Sequence, residues 1–523
     1  MEKKKIESSL QNKNTALFNE NLIGRRSFIG GITSAAVGLT IVPAHVLGGS
    51  GHVAPSDKIN IAYIGTGTQG LRELPALLEI PEAQVVAVCD PQKEAVGYYD
   101  WSPNGLLNEM RKTIGKPAWK PGGDNTIPGG RDNGKAIVDA YYAKNRPGGN
   151  YKCAAYADFR ELFEKEKDID AVKIMATDHL HGVMAAAALK RGIHMTMHKP
   201  VSNRLEEGVK VVEMAKKSDV ITHFIPWESN GSMEQVLAWI NGGVIGELKE
   251  VHNWSNRPVW PQYAEMPKDK PPLPKGFDWD LWLGPEASRP YHPHYTNMVF
   301  RGWYDFGGGA MADMGHYSLW TVFRGLELEN PTIVEPNLSH VCGLRPNATA
   351  YKIQNDYSFP FASSVRFKYP AKNNRPAVDL VWHDGGMLPP VPEEFYAEGK
   401  EFPAEGMMFV GSKGKILSSQ FTLSEPYVLS GDKNLARELE KNIAYDRKSG
   451  IKLFIEGVRN NQPLEGSFDY AWPITEAVNL YAAALRSGKT LKYDASKREI
   501  TNVEEANQYL KRNYRKGWSL EEM

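Results

Sequence analysis

Ile59-Asn60-Ile61-Ala62-Tyr63-Ile64-Gly65-Thr66-Gly67-Thr68-Gln69-Gly70 is the stretch on which the fold turns. Its mostly apolar first half reads as a buried strand, and the Gly-x-Gly-x-x-Gly turn that follows opens a helix. The first glycine permits the tight turn, the second lets the backbone approach a pyrophosphate, and the third lets helix and strand pack closely. Amide groups at the helix start then face the phosphates. A second apolar run, 84–89, closes on Asp90, twenty positions after Gly70, where a carboxylate can accept from adenosine ribose hydroxyls. Gly65, Thr66, Gly67, Thr68, Gln69, Gly70 and Asp90 are therefore expected to bind a dinucleotide. NAD is expected over NADP, because Asp90 would repel a 2′-phosphate.

Outward from this unit, strands and helices alternate. Residues 71–78 continue as a helix containing Pro75, and 134–144, 159–165 and 183–190 read as further helices. Residues 171–176, 194–197 and 220–224 read as strands, with a helix between Pro200 and Lys217. This alternation implies a parallel, doubly wound sheet. Residues 97–134, rich in Pro, Gly, Asn and Trp, read as a long loop insertion. Ser232-Met233-Glu234-Gln235 is a capping box for a helix that Gly242-Gly243 stops. Beyond it 247–254, 364–367, 377–382 and 407–410 look like strands without long helices between them. The expected fold class is α/β: an N-terminal Rossmann dinucleotide-binding domain over 58–226, then a C-terminal α+β domain with a mostly antiparallel open sheet over 227–523. The second domain is expected to carry substrate and oligomer contacts, so a homo-oligomer is an expectation.

In front of the fingerprint stands Gly24-Arg25-Arg26-Ser27-Phe28-Ile29, the pattern of a twin-arginine export signal. An uncharged stretch follows to Ala44 and ends in the small-residue site Val42-Pro43-Ala44. Residues 1–44 are thus expected to be a signal peptide read by the twin-arginine export machinery, and 45–57 a linker. The expected location is the periplasm or another exported compartment. No free coenzyme pool exists there, so the cofactor should travel out already bound. Lys+Arg and Asp+Glu are both 62 in 523 residues, a balance that argues against a nucleic-acid or anionic-membrane partner. No stretch reaches the ~18 apolar residues of a membrane helix, so no stable membrane insertion is expected after processing. Three cysteines, Cys89, Cys153 and Cys342, make no disulfide framework.

At His194-Met195-Thr196-Met197-His198-Lys199-Pro200 and Gly307-Gly308-Gly309-Ala310-Met311-Ala312-Asp313-Met314-Gly315-His316-Tyr317 the chain resembles the glucose–fructose oxidoreductase/inositol dehydrogenase/MocA family. The resemblance runs from about Lys58 to the C-terminus, through Thr177-Asp178-His179-Leu180-His181 and Tyr514-Arg515-Lys516-Gly517-Trp518. Members carry Glu-Lys-Pro at the end of the fifth strand and, far downstream, Asp-x-Gly-x-His. Here His198 replaces the glutamate, and the family's histidine falls on Tyr317, with His316 one position earlier. The resemblance implies that Lys199 stands beside the nicotinamide and the reacting hydroxyl, stabilising an alkoxide or acting as a base. Asp313 would orient the proton acceptor, either His316 or Tyr317, since positions 313, 316 and 317 share one helical face. It also places Thr177, His179, His181 and His198 beside the cofactor. The histidines, with His292 and His294, lack a fourth-ligand pattern, so no metal is expected.

Trp227, Arg257, Tyr291, His292, Arg301 and Trp303 are candidates for substrate contact, because sugar rings stack on aromatic faces and Arg or His binds hydroxyls. Each is also a plausible core residue. The expected activity is oxidation of a ring hydroxyl of a sugar or glycoside with tightly bound NAD. For a glucoside, C3 is the attractive position, because a 3-keto group acidifies the C2 hydrogen. Two alternatives stand beside it: a redox-neutral NAD-dependent glycosidase or lyase working through transient oxidation, and a non-catalytic sugar-binding protein on the same fold.

Overall fold

Parallel strands covered on both faces are mostly apolar; the first two strands of the first sheet largely follow that rule, whereas its later strands bury Lys173, Thr196, His198, Thr222 and His223. Its strands are β1 (Ile59–Ile64), β2 (Ala83–Cys89), β5 (Ala154–Tyr156), β6 (Ala171–Ile174), β7 (His194–His198) and β8 (Thr222–Ile225); β3 (Ala95–Tyr99) and β4 (Thr126–Gly129) form a separate hairpin. All neighbours in the order β5-β2-β1-β6-β7-β8 are parallel. This is the doubly wound order, and its direction reverses between β1 and β6, where such sheets bind ligands. The computed structural model describes residues 53–54, 57–99, 102, 104–121, 126–146, 151–225, 231–256, 263, 265–373, 375–397, 399–442 and 450–523. The twin-arginine stretch, Trp227 and Arg257 lie outside the described residues.

The stretch 97–134 is more than a loop. β3 and β4 pair antiparallel, and a helix, Gly105–Ile114, lies between them. Leu106, Leu107, Met110 and Ile114 recur at helical spacing and are buried, a period hidden among the Pro, Gly and Asn residues around it. The next helix begins at Arg131, three residues before Gly134.

The second sheet has nine strands: β9 (Leu248–Ser255), β10 (Ile333–Leu338), β13 (Ser363–Tyr369), β14 (Val378–Asp384), β15 (Gly406–Gly411), β16 (Lys415–Ser418), β17 (Tyr427–Ser430), β18 (Leu491–Asp494) and β19 (Glu499–Ile500). β11 (Cys342–Leu344) and β12 (Ala350–Lys352) make a small exposed hairpin. The order is β17-β16-β15-β9-β14-β13-β10-β18-β19, antiparallel except for the β9/β14 pair. A long helix, Phe468–Ser487, capped by Ser467, runs between this sheet and the first. On one side the Tyr481 hydroxyl donates to Asp384 of β14 at 2.8 Å. On the other, Asn479 donates to the Ser202 carbonyl and the Val201 amide donates to Thr475 Oγ1. The helix thereby braces the backbone just beyond Lys199. Among the described residues no helix is long and apolar enough to cross a membrane.

Candidate active site

A cavity of about 760 Å³ opens at the carboxyl ends of β1, β2, β6 and β7. Gly65, Gly67, Thr68, Gln69, Gly70, Asp90, Thr177, His198, Arg301, Asp313 and Tyr317 all line it. At Gly65, with φ +92°, a Cβ would stand 2.5 Å from the Met175 carbonyl carbon and oxygen, so β1 turns there only because the residue is glycine. At Gly70 a Cβ would stand 2.0 Å from the Gly65 carbonyl oxygen. The helix Thr68–Leu78 starts with no side-chain cap, which leaves its first turn to an anion. Thr66 is buried behind the loop, its amide donating to Asp90 Oδ2 at 2.9 Å. It therefore positions Asp90 without reaching the cavity wall. Burial raises the Asp90 pKa, opposed by hydrogen bonds from the Gln92 and Thr66 amides. Thr177 lines the cavity with a buried hydroxyl that has no hydrogen-bond partner among the described residues. A dinucleotide fits these features: two close-approach glycines, an uncapped helix start, a carboxylate at the end of β2 and an orphaned hydroxyl.

Four elements bring the reacting groups together. β7 ends at His198 with Lys199 next, β6 leads through Thr177 to Asp178, a short helical turn Asn297–Gly302 carries Arg301, and a wide π turn, Met311–Gly315, precedes the helix His316–Gly325. Lys199 is fully buried and donates to Asp313 Oδ1. Arg301 Nε lies 3.3 Å from the same oxygen, while its Nη1 donates to both oxygens of Asp178 at 2.9 and 3.0 Å. Asp178 also accepts from the Gly308 amide at 3.1 Å. His198 Nε2 and Tyr317 Oη are 2.7 Å apart, and Lys199 Nζ sits 5.1 Å from the Tyr317 ring centre.

These placements decide the protonation states. Burial, then the Arg301 charge, lowers the Lys199 pKa to about 8 against the pull of Asp313. Burial alone would raise Asp313, but the Lys199 and Arg301 charges hold it below the usual carboxylate range. Burial and the Lys199 charge push His198 well down, so its imidazole is neutral. Burial raises the Tyr317 phenol, so it keeps its proton. A neutral Tyr317 hydroxyl can therefore donate to His198 and turn an oxygen lone pair toward the cavity.

Several sequence candidates stand elsewhere. His316 does not share the cavity face with Asp313 and Tyr317. Its ring packs against Phe224, Nδ1 pairs with the Ala312 carbonyl at 2.9 Å, and burial lowers its pKa to about 3. Of the two proton-acceptor candidates, only Tyr317 reaches the wall. Lys199 itself stops behind that wall, on Asp313. His179 and His181 are fully buried, with ring nitrogens on the carbonyls of Trp282 and Phe306, and of Pro200 and Ala176. Burial holds His179 neutral, with a pKa of about 3. It has one N–H to give, and the 2.8 Å contact to Trp282 takes it. Both histidines tie the loop to its neighbours and do not line the cavity. Tyr291, His292 and Trp303 belong to an aromatic cluster around Phe277, Trp279, Tyr295 and Phe306; the Trp303 indole donates to the His294 carbonyl at 2.7 Å. They pack as core and leave Arg301 as the described substrate candidate on the wall.

Other wall residues are not among the site candidates named from the sequence. Arg72, Asn256, Asn297, Met298, Phe300 and Trp518 line the cavity, and Asp178 anchors Arg301. Asp178 and Trp518 both stand inside stretches that carry the family resemblance, but the contacts that make one an anchor for Arg301 and the other part of the wall form only when distant segments fold together. Among the described residues no group of three or more His, Cys, Asp or Glu side chains is placed to hold a metal.

Comparison with known proteins agrees with this architecture. A family model described as "Oxidoreductase family, NAD-binding Rossmann fold" matches residues 132–225, and "Oxidoreductase family, C-terminal alpha/beta domain" matches 234–337 and 398–520. An uncharacterized oxidoreductase of Synechocystis is 28% identical over 153 residues, 26% of this chain and 39% of that protein. A glycosyl hydrolase family 109 protein of Streptomyces filamentosus is 25% identical over 217 residues, 40% of this chain and 36% of that protein. The chain thus spans well under half the length of these curated relatives. Among solved structures, a WlbA dehydrogenase of Chromobacterium violaceum with NADH and UDP-GlcNAcA is 13% identical. That match covers 84% of this chain and 97% of that one at a TM-score of 0.49. Levoglucosan dehydrogenase with NADH and levoglucosan is 12% identical, over 83% and 99%, at 0.44. Likeness at this level carries no argument about chemistry.

Proposed function

Because the chain belongs to the Gfo/Idh/MocA oxidoreductase family and carries its NAD(P)-binding domain, we propose that it is an exported NAD-dependent enzyme that oxidises a ring hydroxyl of a sugar or glycoside. The observation that carries this reading is one shared wall: the dinucleotide cradle and the hydrogen-bonded Tyr317–His198 pair line the same cavity. A dinucleotide held by the Gly65–Gly70 turn and Asp90 would supply the hydride acceptor. Tyr317 offers its oxygen to the substrate hydroxyl. Lys199 and Arg301, balanced by Asp313 and Asp178, keep positive charge behind that oxygen and ease loss of its proton. NAD is favoured over NADP because the Asp90 carboxylate at the end of β2 lines the cavity.

Asn256, Asn297, Arg72 and Arg301 can bind hydroxyls, and Trp282 and Phe300 offer apolar faces. This lining supports a polyhydroxylated ring as substrate. The similarity to a glycosyl hydrolase family 109 protein supports a second reading, redox-neutral glycoside cleavage through transient oxidation. The twin-arginine stretch at Arg25-Arg26 supports export.

A panel of sugars and aryl glycosides, followed for both keto product and released aglycone, tests the activity. The proposal expects keto product from the wild type. It expects Tyr317→Phe to be slower by about 100-fold or more, as removal of a general base should be, with dinucleotide binding kept. Aglycone release without added NAD and without net keto product selects the second reading. Neither product from any glycoside, with dinucleotide bound, contradicts both.

A further inference from the structure

Among the charged side chains described on the cavity wall, all but one already have a partner in the chain. Asp90 accepts from the Thr66 and Gln92 amides at 2.9 Å each, and Asp158 accepts from Arg160 Nη2 at 2.7 Å. Asp313 meets Lys199 and Arg301, and Asp178 accepts from Arg301 Nη1. Behind the wall Lys173, buried in the middle of β6, pairs with Glu73 at 2.7 Å. Arg72 is the exception: among the described residues no carboxylate lies within ion-pair distance of it. Its place follows from the helical period. Leu71, Leu74, Leu77 and Leu78 of the helix Thr68–Leu78 are buried, whereas Arg72 is exposed and falls one turn after Thr68, beside which it lines the cavity. That turn carries it about 6 Å along the axis from the helix start. Burial raises the Tyr317 phenol above its ordinary pKa, and the Arg301 and Arg72 charges work against that rise. The Arg72 charge is thus felt at the reacting end of the cavity.

We propose that Arg72 selects substrates that carry an anionic substituent, a carboxylate or a phosphate, on the sugar whose carbinol is oxidised. The inference rests on the reading of the site as a carbinol oxidase and narrows it from sugars in general to acidic ones. A guanidinium offers a planar fork of N–H donors that meets carboxylate or phosphate through paired charge-assisted hydrogen bonds. Arg301 is not available for this, because Asp178 and Asp313 hold its guanidinium. The dinucleotide's own pyrophosphate is the competing anion. The close-approach glycines and the uncapped helix start receive it one turn earlier, which leaves Arg72 to the substrate.

The test uses full-length protein with its dinucleotide and two matched pairs of substrates: an aryl glucuronide with its methyl ester, and an aryl glucoside 6-phosphate with the plain aryl glucoside. In at least one pair kcat/KM for the anion should exceed that for its neutral partner by about tenfold or more, the scale of a hydrogen bond to a charged group. The pair that responds tells carboxylate from phosphate. That ratio should shrink as ionic strength rises and fall toward one in Arg72→Gln, while Arg72→Glu should turn the preference to the neutral partner. A wild-type ratio near one in both pairs overturns the proposal, and so does a ratio that survives in Arg72→Gln. Loss of the dinucleotide from Arg72→Gln with the ratio intact assigns the guanidinium to the pyrophosphate instead. If the wild type oxidises no glycoside, the underlying reading fails. Calorimetric titration of the dinucleotide-loaded protein with glucuronate, glucose 6-phosphate and glucose still judges Arg72 in that case. Tighter binding of an anion that Arg72→Gln abolishes upholds the selection, and equal binding of all three overturns it.

Discussion

Lys199 is held between opposite demands: burial and the Arg301 guanidinium favour loss of its proton, Asp313 favours keeping it, and the pKa settles at about 8. Its cation, 5.1 Å from the Tyr317 ring, helps that phenol give up a proton. Oxidation should therefore fall as pH rises through about 8, because the cation is lost, and Lys199→Met should lack that limb in a pH profile of kcat/KM. The same depressed pKa has a stability consequence. Between about 8 and the ordinary lysine value the unfolded chain binds the extra proton, so this group's contribution to stability rises with pH across that window. His179 makes the contrasting case. One ring nitrogen donates to the Trp282 carbonyl and the other faces the Phe306 carbonyl, and neither faces the cavity. His179→Ala should cost about 1–3 kcal/mol of stability through unpaired buried groups, read as a lowered Tm, with dinucleotide affinity kept.

At the scale of elements, the turn between β1 and the helix Thr68–Leu78 carries the cofactor site. Gly65→Ala places a methyl against the Met175 backbone at a φ that alanine resists. The variant should lose dinucleotide retention on gel filtration and about 1–3 kcal/mol of stability. This turn was legible in the sequence because its partners, Cys89 and Asp90, follow within one strand–helix–strand unit. The Asp313–Tyr317 helix was legible only in part. A uniform helix puts 313, 316 and 317 on one face, whereas the π turn ahead of His316 and the packing of His316 on Phe224 separate them. The aromatic run from Phe277 to Phe306 looked like sugar-stacking surface, yet its rings mostly satisfy one another. Residue type alone does not tell these uses apart. The Glu73–Lys173 pair gave no local signal, since the partners are brought together only when the helix lies down on β6.

For the whole molecule, the long helix Phe468–Ser487 and the C-terminal Trp518 tie the second sheet to the cofactor cavity. The proposed function requires that this cavity hold a nicotinamide dinucleotide and use it on a sugar carbinol. The most direct measurement takes protein purified without added cofactor, identifies any dinucleotide released on denaturation by mass spectrometry, and follows the reduced-nicotinamide absorbance of native protein as glycosides are added. The expected result is near-stoichiometric NAD that a glycoside reduces and a keto sugar reoxidises. Protein that neither retains nor binds a dinucleotide, or whose bound dinucleotide stays oxidised with every glycoside and releases no aglycone, would contradict it.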